Sequence, residues 1–152
     1  MIIGVLKEIH PGERRVAMAP SVAKQCIKNG HSVLIEHGAG IIANFTDDQY
    51  EDSGVEIVES AQKIWEKSGV ILKIRPPEEI LETEEHEADL LRKDACLISL
   101  LNPGRNPDLL KRLAKTGGTA IAVDAIPRIS RAQSMDVLSS MANISGYRAV
   151  TE

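Results

Sequence analysis

Pro20-Ser-Val-Ala-Lys-Gln-Cys-Ile-Lys-Asn-Gly-His-Ser-Val-Leu-Ile-Glu36 decides the fold. Its first half sets Val22, Cys26 and Ile27 on one helical face, behind a proline that is favoured in a first helical turn. Gly30 is placed to end that helix, because glycine takes the left-handed conformation of a C-terminus without strain. The pattern then changes to a short apolar run, Ser32–Glu36, which reads as a strand. A similar run, Ile2–Val5, comes before the helix, so the opening spells strand, helix, strand. The theme recurs downstream. Ala61, Ile64 and Trp65 mark a second helical face closed by Gly69, and Val70–Ile74 follows as a strand. Ala95–Leu101 is another strand, Leu109, Leu110 and Leu113 mark a helix closed by Gly117-Gly118, and Thr119–Val123 completes the series. Strands alternating with helices at this spacing predict an α/β fold of three layers, with a mostly parallel sheet and helices on both faces, flavodoxin-like or Rossmann-like. The near-continuous apolar strands predict a sheet covered on both sides.

Composition narrows the class of function. With 152 residues, 43% apolar and 26% charged, the chain has the make-up of a single soluble globular domain, residues 1–152, standing alone or within a larger protein. Only 3% of residues are aromatic, so the core must be aliphatic. A net charge of -4, with Lys and Arg scattered, argues against nucleic acid and against direct binding to an anionic membrane surface. Cys26 and Cys96 lie far apart without metal-ligand spacing, and read as buried free thiols of a reducing compartment. Neither a signal peptide nor an apolar run near the ~20 residues of a bilayer span is evident, so a cytosolic or matrix-side segment is expected. Nothing suggests a metal site.

Two stretches invite over-reading. Glu78–Asp89 is an acidic block, expected to form a solvated helix or a surface insertion. Gly38-Ala-Gly-Ile-Ile-Ala43 follows a strand and fits a variant dinucleotide fingerprint, with Glu59 about twenty residues further on. A true fingerprint opens directly into a helix whose amides face the pyrophosphate. Here Asn44-Phe45-Thr46-Asp47-Asp48 intervenes, Thr46 reads as the cap of a new short helix, and two aspartates in its first turn would repel a diphosphate. A glycine turn between strand and helix is the better account.

The polar residues with chemical potential lie elsewhere. Arg15 follows the first strand, where open α/β sheets place ligand groups, and its guanidinium can clamp a carboxylate or pair with Glu8 or Glu13. After the last strand, Pro127-Arg128-Ile129-Ser130 leads into Ser130-x-x-Gln133, which fits a helix capping box. The spacing of Gln133, Asp136, Ser139 or Ser140, and Asn143 predicts one polar stripe on a helix, opposite Met135, Leu138 and Met141 or Ala142. Short hydrogen-bonding groups on that stripe suit a cleft wall facing a neutral amide better than open solvent.

Residues 128–150, Arg-Ile-Ser-Arg-Ala-Gln-Ser-Met-Asp-Val-Leu-Ser-Ser-Met-Ala-Asn-Ile-Ser-Gly-Tyr-Arg-Ala-Val, closely resemble the signature of the alpha subunits of proton-translocating nicotinamide nucleotide transhydrogenases. The opening, with Lys7-Glu8, Glu13-Arg14-Arg15-Val16 and Pro20, resembles the start shared by those subunits and by alanine dehydrogenases. The resemblance covers essentially the whole chain. It implies the first subdomain of an NAD(H)-binding domain, with the Rossmann subdomain that holds the pyrophosphate absent from this chain. By position it implies that Arg128, Gln133, Asp136 and Ser139 contact the nicotinamide ring and its carboxamide. It also implies that Asn143–Glu152 begins a helix crossing to the second subdomain, with Tyr147 near the site, in a core or at a hinge. In alanine dehydrogenases the residues matching Arg15 and Lys73 bind the keto acid, and a catalytic histidine ends the strand matching Ile98–Gly104. Here Leu101 and Asn102 fill that place, and the four histidines stand at 10, 31, 37 and 86. Hydride transfer between two nicotinamides needs no acid or base there, so no catalytic side chain is expected in this segment.

The activity implied is hydride transfer from NADH to NADP+ coupled to proton translocation, with NADP(H) on a separate domain of a beta subunit. A homodimer is implied, with membrane contact only through the complex, on the cytoplasmic side of a bacterial inner membrane or the mitochondrial matrix side. The segment alone is expected to be inactive. The alternatives are an alanine-dehydrogenase-like amino-acid oxidoreductase and a non-catalytic interaction module.

Overall fold

In the computed structural model, which describes residues 1–81, 83 and 85–151, the apolar runs assemble into one six-stranded parallel sheet. Its strands are β1 (Ile2–Val5), β2 (Ser32–Glu36), β3 (Glu56–Val58), β4 (Val70–Leu72), β7 (Cys96–Ser99) and β8 (Thr119–Ala122). A separate two-stranded antiparallel hairpin is formed by β5 (Glu79–Ile80) and β6 (Glu85–His86). The sheet order is β3-β2-β1-β4-β7-β8, every neighbour pair parallel. The order reverses between β1 and β4, and at such a switch point the crevice beyond the strands' carboxyl ends is the preferred ligand site.

The helices are α1 (Pro20–Lys28), α2 (Asp47–Glu51), α3 (Ala61–Lys67), α4 (Pro107–Thr116) and α5 (Val137–Thr151). Pro20 and Pro107 open the first turns of α1 and α4, where a missing N–H costs nothing. Gly117 ends α4 in the left-handed region, at φ +75°. Thr46 caps α2 through a reciprocal capping box with Gln49, as its sequence predicts, and the Gly38–Gly40 loop precedes that helix as a turn. One close approach needs glycine outright. A Cβ on Gly4 would overlap Ser68 Oγ and Ile64 Cγ2 and lie 2.9 Å from Ser68 Cβ, because α3 rests directly on β1.

Two cores flank the sheet. On one side Ile64 and Trp65 of α3, Leu113 of α4 and Ala88 pack on Leu34, Val58, Ile71 and Leu97. On the other, Ala23 of α1 and Tyr50 of α2 pack on Ile3, Val5, Val33 and Ile35, and the Tyr50 hydroxyl donates to the Met18 carbonyl at 2.7 Å.

Several expectations need correction. Val22 is exposed, and Ala23 is the buried residue of α1, with Cys26 and Ile27 half-buried beside it. Strand β3 has no counterpart among the predicted strands, since Glu56-Ile57-Val58 is too short to stand out between a turn and a helix. Of the two forms expected for the acidic block, its described residues take that of an insertion and show no α-helix. It carries the hairpin, of which 82 and 84 lie outside the described residues, and then a short 3-10 turn, Glu87–Leu90, whose Glu87 is buried. Both thiols are only half-buried. The sheet is not covered on both sides throughout, since Thr119, Ala120 and Ile121 of β8 are exposed. No helix among the described residues is long and apolar enough to cross a membrane.

Candidate functional site

At the switch point the loop after β1 meets the segment after β4, and charged side chains fill the junction. Lys73 leaves β4 with its side chain fully buried, and its Nζ lies 2.6 Å from Glu87 Oε1 and 3.9 Å from Glu8 Oε2. A buried ammonium demands such partners, because desolvation alone would neutralise it. The other oxygen of Glu87 accepts the Glu78 N–H at 2.9 Å, and Glu8 accepts the N–H groups of Ile74 at 2.5 Å and Arg75 at 3.1 Å. Burial still pushes the Glu8 carboxyl above its ordinary pKa, against the pull of Lys73.

Of the two partners open to Arg15, the fold selects Glu13. Arg15 donates from Nε at 2.7 Å and from Nη2 at 2.6 Å, and Arg75 Nε adds a third bond at 2.7 Å. The Arg15 hydrogen bond, above all, holds the Glu13 carboxyl down at about 2. Beyond this pair lies a cavity of about 380 Å³, with Arg15 and Ala17 on one side and Leu72, Ile74, Ile98, Leu100 and Val123 along the sheet. Val137, Ser140 and Met141 of α5 form its far wall, and Arg15 Nη1 stands 2.7 Å from Met141 Sδ.

No histidine lines this cavity. Leu101 is packed in the core, and Asn102 takes a left-handed φ of +48°. Their N–H groups donate to Asp124 Oδ1 and Oδ2, both at 2.9 Å. Asp124 escaped the sequence reading, as nothing marks a carboxylate at that place as a strand-end cap. Glu87 had a readable signal: a lysine closing an apolar strand run needs a carboxylate, and the acidic block is the nearest supply.

A second, open cleft of about 330 Å³ lies at the start of α5, lined by Arg128, Ile129, Ser130, Gln133, Asp136 and Ser139. The four residues marked by the sequence therefore share one surface, but their local roles differ from the expected ones. Ser130 and Gln133 form no capping box; residues Ser130–Met135 make a 3-10 turn whose cap position is Ile129, with no side-chain bond. The helix proper begins at Val137, so Gln133 and Asp136 do not share a helical stripe with Ser139. Asp136 instead caps α5: Ser139 N–H donates to Oδ1 at 3.0 Å and Ser139 Oγ to Oδ2 at 2.6 Å. These bonds, the side-chain one first, hold the Asp136 carboxyl below the ordinary aspartate range. Arg128 Nε stands 3.8 Å from Asp136 Oδ2 and is otherwise solvent-facing, and the exposed Gln133 amide has no partner among the described residues. Donors from Arg128 and Gln133 and an acceptor from Gln133 thus line the cleft, groups able to donate to the oxygen of a neutral amide and to accept from its NH2.

The opposite side of α5 is no packed apolar face. Leu138 and Met141 are half-buried, Met135 and Ala142 are exposed, and Ile144, Tyr147 and Val150 stand in solvent, so Tyr147 belongs to no core of this chain.

Comparison with known proteins agrees with the fold. The family model for the N-terminal domain of alanine dehydrogenase/PNT matches residues 4–145. NAD(P) transhydrogenase subunit alpha of Cereibacter sphaeroides is 48% identical over all 152 residues, which make up 28% of that protein. Alanine dehydrogenase of Bacillus subtilis (strain 168) is 34% identical over 149 residues, 98% of this chain and 37% of that one. The crystal structure of transhydrogenase from Sinorhizobium meliloti superposes with a TM-score of 0.88 at 36% identity, covering 99% of this chain and 43% of that one. The chain therefore spans well under half the length of these relatives, and it belongs to the alanine dehydrogenase/PNT N-terminal domain family.

Proposed function

We propose that this chain forms the nicotinamide-facing wall of an NAD(H) cleft in a transhydrogenase alpha subunit. The observation that carries the reading is the meeting of Arg128, Gln133, Asp136 and Ser139 on one open cleft at the root of α5. Gln133 accepts from the carboxamide NH2 and Arg128 donates to its oxygen, while Asp136, tied to Ser139, fixes the helix start and holds Arg128 toward the cleft. Fixing the carboxamide decides which face of the ring is presented, and hydride transfer depends steeply on such positioning. The nicotinamide supplies the hydride, which passes from NADH to NADP+ on a separate domain. No side chain of this segment exchanges a proton in that step, in keeping with Leu101 and Asn102 at the end of β7. The pyrophosphate is held by a Rossmann subdomain beyond this segment. Proton translocation, pairing as a homodimer and contact with the beta subunit belong to the whole assembly, which meets the bacterial inner membrane on its cytoplasmic side or the mitochondrial membrane on its matrix side.

The experiment is a chimera in which this chain replaces the aligned 152 residues of the Cereibacter sphaeroides alpha subunit. Restored transfer of hydride from NADH to an NADP+ analogue is expected, with Arg128→Ala and Gln133→Ala lowering it by about tenfold or more. Alanine-dependent reduction of NAD+ by the chimera would move the chain to the amino-acid oxidoreductases. The 152-residue chain alone should turn nothing over, and clear NADH oxidation by it would contradict the reading.

A further inference from the structure

Five hydrogen bonds converge on the buried carboxylate of Glu13. Its Oε1 accepts the N–H groups of Arg14 and Arg15, both at 3.0 Å, and Arg15 Nε at 2.7 Å. Its Oε2 accepts Arg15 Nη2 at 2.6 Å and Arg75 Nε at 2.7 Å. A guanidinium is planar, so once Nε and Nη2 are held by one carboxylate the direction of Nη1 is fixed as well. Nη1 lies on the far side from Glu13, and it donates to Met141 Sδ at 2.7 Å.

The helix it reaches is shallowly seated. Among the described residues of α5 none is buried, and Ile144, Tyr147 and Val150 stand in solvent. Val137, Ser140 and Met141, spaced i, i+3 and i+4, line the cavity beside Arg15 and so form the face that α5 turns toward the sheet. Ser139, which lines the open cleft with Asp136, is two residues from Met141 and therefore about 200° away around the helix axis. The root of α5 thus stands between Arg15 on one side and the cleft on the other. A roll of the helix at Met141 is carried to Ser139, to Asp136 bonded to it, and to Arg128, 3.8 Å from Asp136.

We propose that Arg15 is a positioning residue: clamped by Glu13, its guanidinium braces Met141 and sets the roll of α5 that presents Asp136, Ser139 and Arg128 to the cleft. In this role Arg15 needs no contact with a ligand. The consequence for hydride transfer rests on the NAD(H) reading, whereas the brace itself does not.

Lysine in place of Arg15 keeps a charge for Glu13 but has no planar fork with which to hold a carboxylate and reach a thioether at once. Leucine in place of Met141 keeps the volume and loses the acceptor. The experiment is a cycle of Arg15→Lys, Met141→Leu and the double variant, read in two ways. In the 152-residue chain without nucleotide, the amide shifts of Asp136, Ser139 and Ser140 are followed. Arg15→Lys is expected to move them in the parent and to leave them in place in the Met141→Leu background. In the chimera, each single variant is expected to lower kcat for hydride transfer about tenfold while the KM for NADH changes less than about threefold, and the double variant to be no slower than the slower single one. Equal shift changes in both backgrounds, no shift change in either, or kcat losses that multiply in the double variant would overturn the proposal, since Arg15 would then serve its ion pair alone. Emission of the buried Trp65 shows whether each variant is folded, and Arg15→Gln is the second variant at that position. A parent chimera that transfers no hydride would sink the NAD(H) reading, and the shift cycle would still decide the brace.

Discussion

Replacing Glu87 by leucine tests whether the ion cluster at the switch point holds the fold together. The change leaves Lys73 fully buried with its nearer carboxylate gone, while Glu8 remains 3.9 Å away. Breaking a buried pair from one side costs about 3–5 kcal/mol. Glu8 offsets part of this, and the orphaned Glu78 N–H adds about 1 kcal/mol, so Glu87→Leu should lose about 3 kcal/mol. For a domain of this size that corresponds to a Tm lower by roughly 10 °C. The reverse change, Lys73→Met, leaves Glu8 and Glu87 buried together without a cation and should cost a similar amount. The double variant removes the pair and leaves Glu8 held by the Ile74 and Arg75 N–H groups, so it should be less destabilised than either single variant. Urea unfolding followed through the single, buried Trp65 measures all four proteins. A Glu87→Leu loss under about 1 kcal/mol would refute the reasoning, as would a double variant as unstable as the two single losses added together.

Acid should uncover Glu13. Its carboxyl is depressed from 4.5 to about 2, so its contribution is present above pH 4.5 and fades as pH falls toward 2. The shift corresponds to about 3 kcal/mol at face value and about 1–2 kcal/mol once solvent screening of the half-exposed Arg15 and Arg75 is counted, and Glu13→Gln should flatten that part of the stability curve. Glu8 runs the other way: raised by burial, its contribution is full below pH 4.5 and is lost as pH rises through its folded value. Gly4→Ala should cost about 2–4 kcal/mol, because β1 and α3 cannot separate to admit a Cβ, and Ser68→Gly should recover only part of it, since Ile64 remains in the way. Asp136→Ala should shift the amide resonances of Val137–Ser140 toward those of a frayed helix end, and unchanged shifts there would remove the capping role.

Most of the fold was legible because its signals were local. Strands Ile2–Val5 and Ser32–Glu36 fall where their apolar runs lie, and the caps at Thr46 and Gly117 end or begin helices by chemistry confined to a few residues. What stayed hidden depended on distant partners. Glu87 is buried against Lys73, fourteen positions earlier, and the β5–β6 hairpin lies between the two. The exposure of β8 was invisible too, because an apolar strand reads alike at the edge of a sheet and in its middle. At the candidate site the four marked residues do meet on one cleft, but their local wiring differs from what the spacing predicts. Ser130-x-x-Gln133 and Asp136-x-x-Ser139 are both capping patterns, and only the second meets a helix start.

The pairing at the switch point bears on which ligand the cavity can accept. Arg15, Lys73 and Arg75 stand there against Glu8, Glu13 and Glu87, each cation within 4 Å of a carboxylate. A carboxylate ligand reaching Arg15 has to compete with Glu13, which already holds Nε and Nη2 in the two-pronged geometry such a ligand would need. It would also meet a wall of Leu72, Ile98, Leu100 and Val123 that offers its charge no solvation. An uncharged, apolar group asks for neither, since the charged side chains then keep their partners. Leu101 and Asn102 follow β7 as a turn, Asn102 in the left-handed region. Their N–H groups are taken up by Asp124, so this turn is fixed through its backbone.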